Sequence, residues 1–173
     1  SPTDQSFGVD VYGNDDVYFH VTSDHEKLVV TADSLVEVDP PDEAWSSLGA
    51  AVEWSAARPL APGSFTAEGE RAEVVEFVLD LDVPEITDSV REYAEPSFEL
   101  GRPLRDVVVD LTHRIFEDFT YRSGSTTVST KVADLLESRS GVCQDFARLA
   151  IACLRSKGLA ARYVSGYLAT EPP

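Results

Sequence analysis

The stretch Ser140-Gly141-Val142-Cys143-Gln144-Asp145-Phe146-Ala147 holds the residues best suited to act on a substrate. It sets Cys143 in the first turn of a helix whose apolar side repeats at Phe146, Leu149, Ala150, Cys153 and Leu154 and which Gly158 ends. A free thiol has a pKa of about 8.5, and only its thiolate is a nucleophile. The unpaired N–H groups and partial positive charge of a helix N-terminus favour that thiolate. Gln144 offers a backbone N–H beside the sulfur, the kind of donor that forms part of an oxyanion hole. Gly141 admits a tight entry into the helix and leaves room for a substrate chain. The ordinary fate of a single cysteine is an inert place in the core. Cys153, in mid-helix among apolar residues, fits that fate. Ten residues along one helix is about 15 Å, against the roughly 7 Å that a disulfide allows, so the two thiols do not pair. No histidine follows Cys143: His20, His25 and His113 all precede it. Two cysteines without histidine neighbours do not make a zinc site, and no cofactor is expected.

The elements that must position Cys143 are legible to different degrees. Three helices are predicted by apolar spacings of three and four: Pro103 to Phe119, Thr130 to Ser138 with Thr130 as the cap, and Cys143 to Lys157. A strand is expected over Ala161 to Leu168. Pro84 to Tyr93 opens with proline and acids, as a helix start does. Val74 to Leu79 reads equally as a strand or a helical turn. Residues 7–38 read as a meander of three strands, with Gly13-Asn14-Asp15 at a turn and the third strand over residues 28–38. A short helix is expected within residues 42–57. Loop-like residues 58–70 give a division into a β-rich N-terminal region, 1–65, and a second region, 66–173.

Thr126-Thr127-Val128-Ser129-Thr130, then Gly141-Val142-Cys143-Gln144-Asp145-Phe146-Ala147, then Leu154-Arg155, Gly158 and Ala161-Arg162-Tyr163-Val164-Ser165-Gly166-Tyr167 resemble the transglutaminase-like superfamily of papain-like cysteine enzymes. The Tyr12-Gly13-Asn14 turn and Ser34-Leu35-Val36-Glu37-Val38 resemble the β-rich region that precedes this core in bacterial members. The resemblance implies an α+β fold: a β-rich N-terminal unit, then the helical half of a papain-like or transglutaminase-like core. It implies a Cys-His-Asp triad with Cys143 as nucleophile, and acyl transfer or amide or peptide hydrolysis through a thioester. The family's histidine and aspartate lie on strands after Ser165-Gly166-Tyr167, so these 173 residues are expected to hold the nucleophile without its base and to be inactive alone. Gln144 and Tyr121 are candidate site-lining residues, Tyr121 also reading as core. Related sequences usually carry histidine where Arg148 stands and proline where Ala160 stands; Arg148 is expected as a surface or contact residue. Asp145 reads as an acid that steadies the helix start.

The formal net charge is −17: the first 140 residues carry −19 and the remainder +2. Such acidity argues against a nucleic-acid partner, whose phosphates would be repelled. No apolar run approaches the roughly 18 residues of a spanning helix, so no membrane partner is expected. The expected partner is a protein or peptide substrate, with self-association at the edge of the 161–168 strand. The competing class is a non-catalytic interaction module docked through the acidic N-terminal region. Free thiols fit a reducing, cytoplasmic compartment, and an exported chain trimmed of its leader would read the same.

Overall fold

Asp10 shapes the first turn of the chain. Its carboxylate accepts the N–H groups of Tyr12 and Asn14 at 2.8 and 2.9 Å and the Asn14 side-chain amide at 2.8 Å. These bonds, that from the Asn14 amide foremost, hold its pKa below 3.8. Gly13 takes a φ of 83°, which a side chain would resist. Strands β1 (Asp4–Val9) and β2 (Asp15–His20) therefore pair antiparallel, with Phe7 opposite Val17. The computed structural model describes residues 4–31, 33, 35–37, 52–59, 71–79, 84–127 and 129–166. The third strand expected over 28–38 is not present in its described residues. β-branched residues supply propensity, but Leu28-Val29-Val30 is a continuous apolar run, without the alternation that selects a face and a register.

Contacts divide the chain into Ser1–Val38 and Asp39–Pro173. The second unit holds α1 (Arg71–Glu76), α2 (Asp88–Ala94), a 3-10 turn (Glu95–Ser97), α3 (Leu104–Asp118), β3 (Thr120–Tyr121), α4 (Val132–Ser138), β4 (Ser140–Gly141) and α5 (Cys143–Ser156). The fold is α+β. Residues 52–58, which the sequence reading set on the N-terminal side of residue 65, pack in this second unit. Trp54 meets Phe98 edge to face at 5.2 Å, and its indole N–H donates to the Glu99 carbonyl at 2.9 Å. The Leu104 N–H, at the open start of α3, donates to the Val52 carbonyl at 2.8 Å. Of the short helix expected over 42–57, residues 42–51 lie outside the described residues, and 54–57 form a turn.

The core is the meeting of four helices. Val90, Tyr93 and Ala94 of α2, Val107, Leu111 and Ile115 of α3, Val132, Leu135 and Leu136 of α4, and Leu149, Ala152 and Cys153 of α5 are buried together with Phe119 and Leu159. Burying one such large aliphatic side chain is worth about 1.5–3 kcal/mol. This packing, more than propensity, carries the seven-residue helices α2 and α4, which are too short to stand alone. Val74 to Leu79 resolves as the end of α1 and a turn, and Trp45 lies outside the described residues.

Two further expected elements differ. The helix expected from Pro84 begins at Asp88, because Glu85 is drawn inward and Thr87 forms the cap. The strand expected over 161–168 is not a strand in its described part, 161–166. A strand is defined by its ladder; the Ala161 N–H donates to the Phe77 carbonyl at 3.0 Å, while its carbonyl is taken by the Arg155 side chain and not by a neighbouring strand. Among the described residues no helix is long and apolar enough to cross a membrane.

Candidate active site

The approach to Cys143 is set by a left-handed residue. Arg139, just after α4, has φ 53° and turns the chain from that helix into β4. Its guanidinium lies 5.0 Å from the Phe119 ring and 5.5 Å from the Tyr93 ring, contacts that offset part of the backbone strain. Tyr93 donates to Asp118 at 2.9 Å, and burial, then that carboxylate, raises its pKa well above 10. β3 and β4 then pair in parallel, Thr120 with Ser140 and Tyr121 with Gly141. The Thr120 N–H donates to the Arg139 carbonyl and the Arg122 N–H to the Gly141 carbonyl, each at 2.9 Å. This ladder fixes the end of α3 beside the entry to α5.

Gly141 is buried, and the space around it is already taken. A Cβ there would lie 2.8 Å from Leu135 Cδ1 and 2.9 Å from Asp145 Oδ2. The glycine makes room for these two side chains, not for a substrate chain as its sequence context suggested. Val142 follows in extended conformation and precedes the helix. Its N–H donates to Asp145 Oδ2 at 2.9 Å, and the Thr126 hydroxyl donates to the same oxygen at 2.5 Å. Asp145 is 4% exposed, so this buried carboxylate is what ties the helix start to the preceding loop. Cys143 is the first residue of α5 and is exposed.

One and a half turns on, Arg148 donates to the Thr130 carbonyl at 2.8 Å and pairs with Glu85. The other oxygen of Glu85 accepts the Val132 N–H at 2.7 Å. That carboxylate, not Thr130, supplies the first acceptor of α4; the Thr130 hydroxyl instead accepts the Thr127 N–H at 2.9 Å. Arg148 is thus a contact residue, with its side chain 20% exposed. Gln144 is half-buried and shares a groove of about 260 Å3 with Arg148, Ile151, Arg155 and Tyr163. Arg155 forks onto the Ala161 carbonyl at 2.9 and 2.7 Å and reaches the Leu79 carbonyl at 2.6 Å. It thereby folds the chain after α5 back toward the end of α1.

Tyr121 is 65% exposed, so its reading as a core residue is corrected: a two-residue ladder leaves its ring in solvent. It stands level with Gly141 in the ladder but does not line the groove of Gln144. Cys153 is fully buried, and burial pushes its pKa up to about 12. His113, the second unit's histidine, is exposed on α3, and no hydrogen bond joins it to Cys143 among the described residues. The described residues hold no cluster of three or more potential metal ligands. Glu85 was missed by sequence reasoning. It reads as one more acid at a helix start, and 63 residues separate it from Arg148.

The comparisons with known proteins bear on this part of the chain. Residues 91–172 match the model of the transglutaminase-like superfamily. Uncharacterised proteins of Mycobacterium bovis and Mycobacterium tuberculosis are each 58% identical over 175 residues, covering 100% of this chain and 53% of theirs. One from Mycobacterium leprae is 30% identical over 170 residues, covering 92% of this chain and 53% of its own. The chain spans about half the length of the curated relatives it matches. A crystal structure titled "Putative Cysteine Protease from Cytophaga hutchinsonii" aligns at 23% identity with a TM-score of 0.47, over 63% of this chain and 36% of that one.

Proposed function

We propose, taking residues 91–172 as a transglutaminase-like region, that Cys143 is the nucleophile of a cysteine enzyme of acyl transfer or amide hydrolysis. The observation that supports this is the placement of an exposed thiol at the first position of α5, with the buried Asp145 organising that turn. Backbone N–H groups of a first helical turn lack intrahelical partners and can receive charge that develops on a carbonyl oxygen. The sulfur attacks the carbon of a carboxamide or peptide bond. The C–S bond forms, the C–N bond breaks, and the nitrogen leaves as ammonia or amine with the thiol's proton, passed through a general base. Water or a second amine then attacks the thioester, the C–S bond breaks and the thiol is restored. Hydrolysis and amine crosslinking differ in which nucleophile arrives second. The family resemblance assigns the base to a histidine on a later strand.

The test is amine incorporation into a glutamine-containing peptide, beside hydrolysis of the same peptide, measured on the protein with its natural flanking sequence. We expect one of the two activities, and we expect Cys143→Ala to bring it to background. Activity indifferent to that substitution removes Cys143 from the nucleophile's role. Absence of both activities in a folded wild-type protein favours an interaction module on the same scaffold.

A further inference from the structure

We propose that Glu85 and Arg148 are positioning residues for Cys143, an inference that rests on the nucleophile reading above and identifies what holds that nucleophile in place. Glu85 is 3% exposed and lies in the segment leading into α2. One of its oxygens accepts the Val132 N–H and the other meets the Arg148 guanidinium. The second arm of that guanidinium holds the Thr130 carbonyl. A buried carboxylate is costly to desolvate, and an ion pair is weak evidence for stability but strong geometric constraint when forked. Here the fork fixes one place: Thr130, just before α4, against the second turn of α5.

A second strap lies one turn earlier. Asp145 and Arg148 are three residues apart and so lie on one side of α5. Asp145 takes the Thr126 hydroxyl and Arg148 takes the Thr130 carbonyl. Thr126 and Thr130 are therefore both fastened along the first two turns of α5, beside the end that carries Cys143. The first turn of a helix has N–H groups without intrahelical partners and frays unless tertiary contacts hold it. Arg148 acts on Cys143 through this strap and not by touching the sulfur. Because Glu85 also caps α4, it ties the register of α4 to that of α5, so the pair sets where the thiol sits relative to both helices.

The experiment measures iodoacetamide alkylation of both thiols by mass spectrometry, with Cys153 as the internal report on global opening. We expect Arg148→Gln and Glu85→Gln to slow alkylation of Cys143 by about three- to tenfold, the size of a helix-terminus effect, while Cys153 stays protected. Arg148→Lys recovers part of the rate, since an ammonium still reaches the Glu85 carboxylate but lacks the second arm that holds the Thr130 carbonyl. Thr126→Val, which cuts the other strap without removing a charge, shifts Cys143 in the same direction. Wild-type rates for Cys143 in folded Arg148→Gln, Glu85→Gln or Thr126→Val overturn the proposal. So does labelling of Cys153 that rises in step with any change at Cys143, because the pair then only holds the core together. If the two charge-removing variants do not fold, Thr126→Val decides by the same criteria. Alkylation needs no turnover, so failure of the enzyme reading is seen separately, in the peptide assays.

Discussion

At the scale of single residues, the second unit divides its polar side chains between shaping the chain and keeping buried groups neutral. Asp145 illustrates the first. It accepts from Val142 and Thr126 within a buried setting, so Asp145→Ala removes a helix-start acceptor and leaves two donors unpaired. We expect a loss of about 1–3 kcal/mol in urea denaturation, in the range of a lost cap and unsatisfied buried donors. Cys153 illustrates the second. Burial raises its pKa from 9.0 to about 12. The folded chain keeps that proton where the unfolded chain releases it. The contribution is therefore complete below pH 9 and declines as pH rises from 9 toward 12. At about pH 11 we expect wild type to have lost roughly 2–3 kcal/mol more, relative to neutral pH, than Cys153→Ala, since each tenfold difference in proton affinity is worth about 1.36 kcal/mol. Parallel urea-denaturation series at the two pH values compare the losses.

At the scale of elements, the decisive contacts are those that bring β4 to α5. Gly141→Ala tests them. Its Cβ would lie 2.8 Å from Leu135 Cδ1 and 3.1 Å from Asp145 Cβ, both on buried residues. We expect a thermal-melt destabilisation of about 1–3 kcal/mol, the usual cost of overpacking. The helices were legible in the sequence because apolar spacing reports which side is buried, as Val107, Leu111 and Ile115 show on α3. So was Cys143 at the head of α5, since Gly141 and Asp145 punctuate the start and Gly158 the end. The two-residue ladder of β3 and β4 was not legible. Thr120 and Tyr121 are too few to show alternation, and their pairing depends on Arg139 taking a conformation that glycine or asparagine would have advertised. Glu85 and Arg148 were illegible as a pair for a related reason: their meeting is decided by how α2, α4 and α5 pack, and no local pattern encodes it.

At the scale of the whole molecule, the acidic excess and the assembly of the site each have a measurable effect. With a net charge of −17 the folded chain repels itself. We expect its melting temperature to rise by several degrees between about 0.01 and 1 M NaCl, as the Debye length shrinks from roughly 30 to 3 Å. Scanning calorimetry across that range checks this, and a flat response contradicts it. The β3–β4 ladder bears on the order of folding. The Thr120 and Arg122 amides, bonded to the carbonyls of Arg139 and Gly141, close a loop of about twenty residues. Local helix formation needs no such closure, so these pairings wait until α3 and α4 have come together. Both amides should then exchange with solvent together, and ahead of the amides in the middle of α5, because pairings made late on exposed backbone are among the first to open. A chain still emerging or refolding would in that case carry Cys143 without the ladder that sets its approach, and the geometry around that thiol would arrive late and in one step.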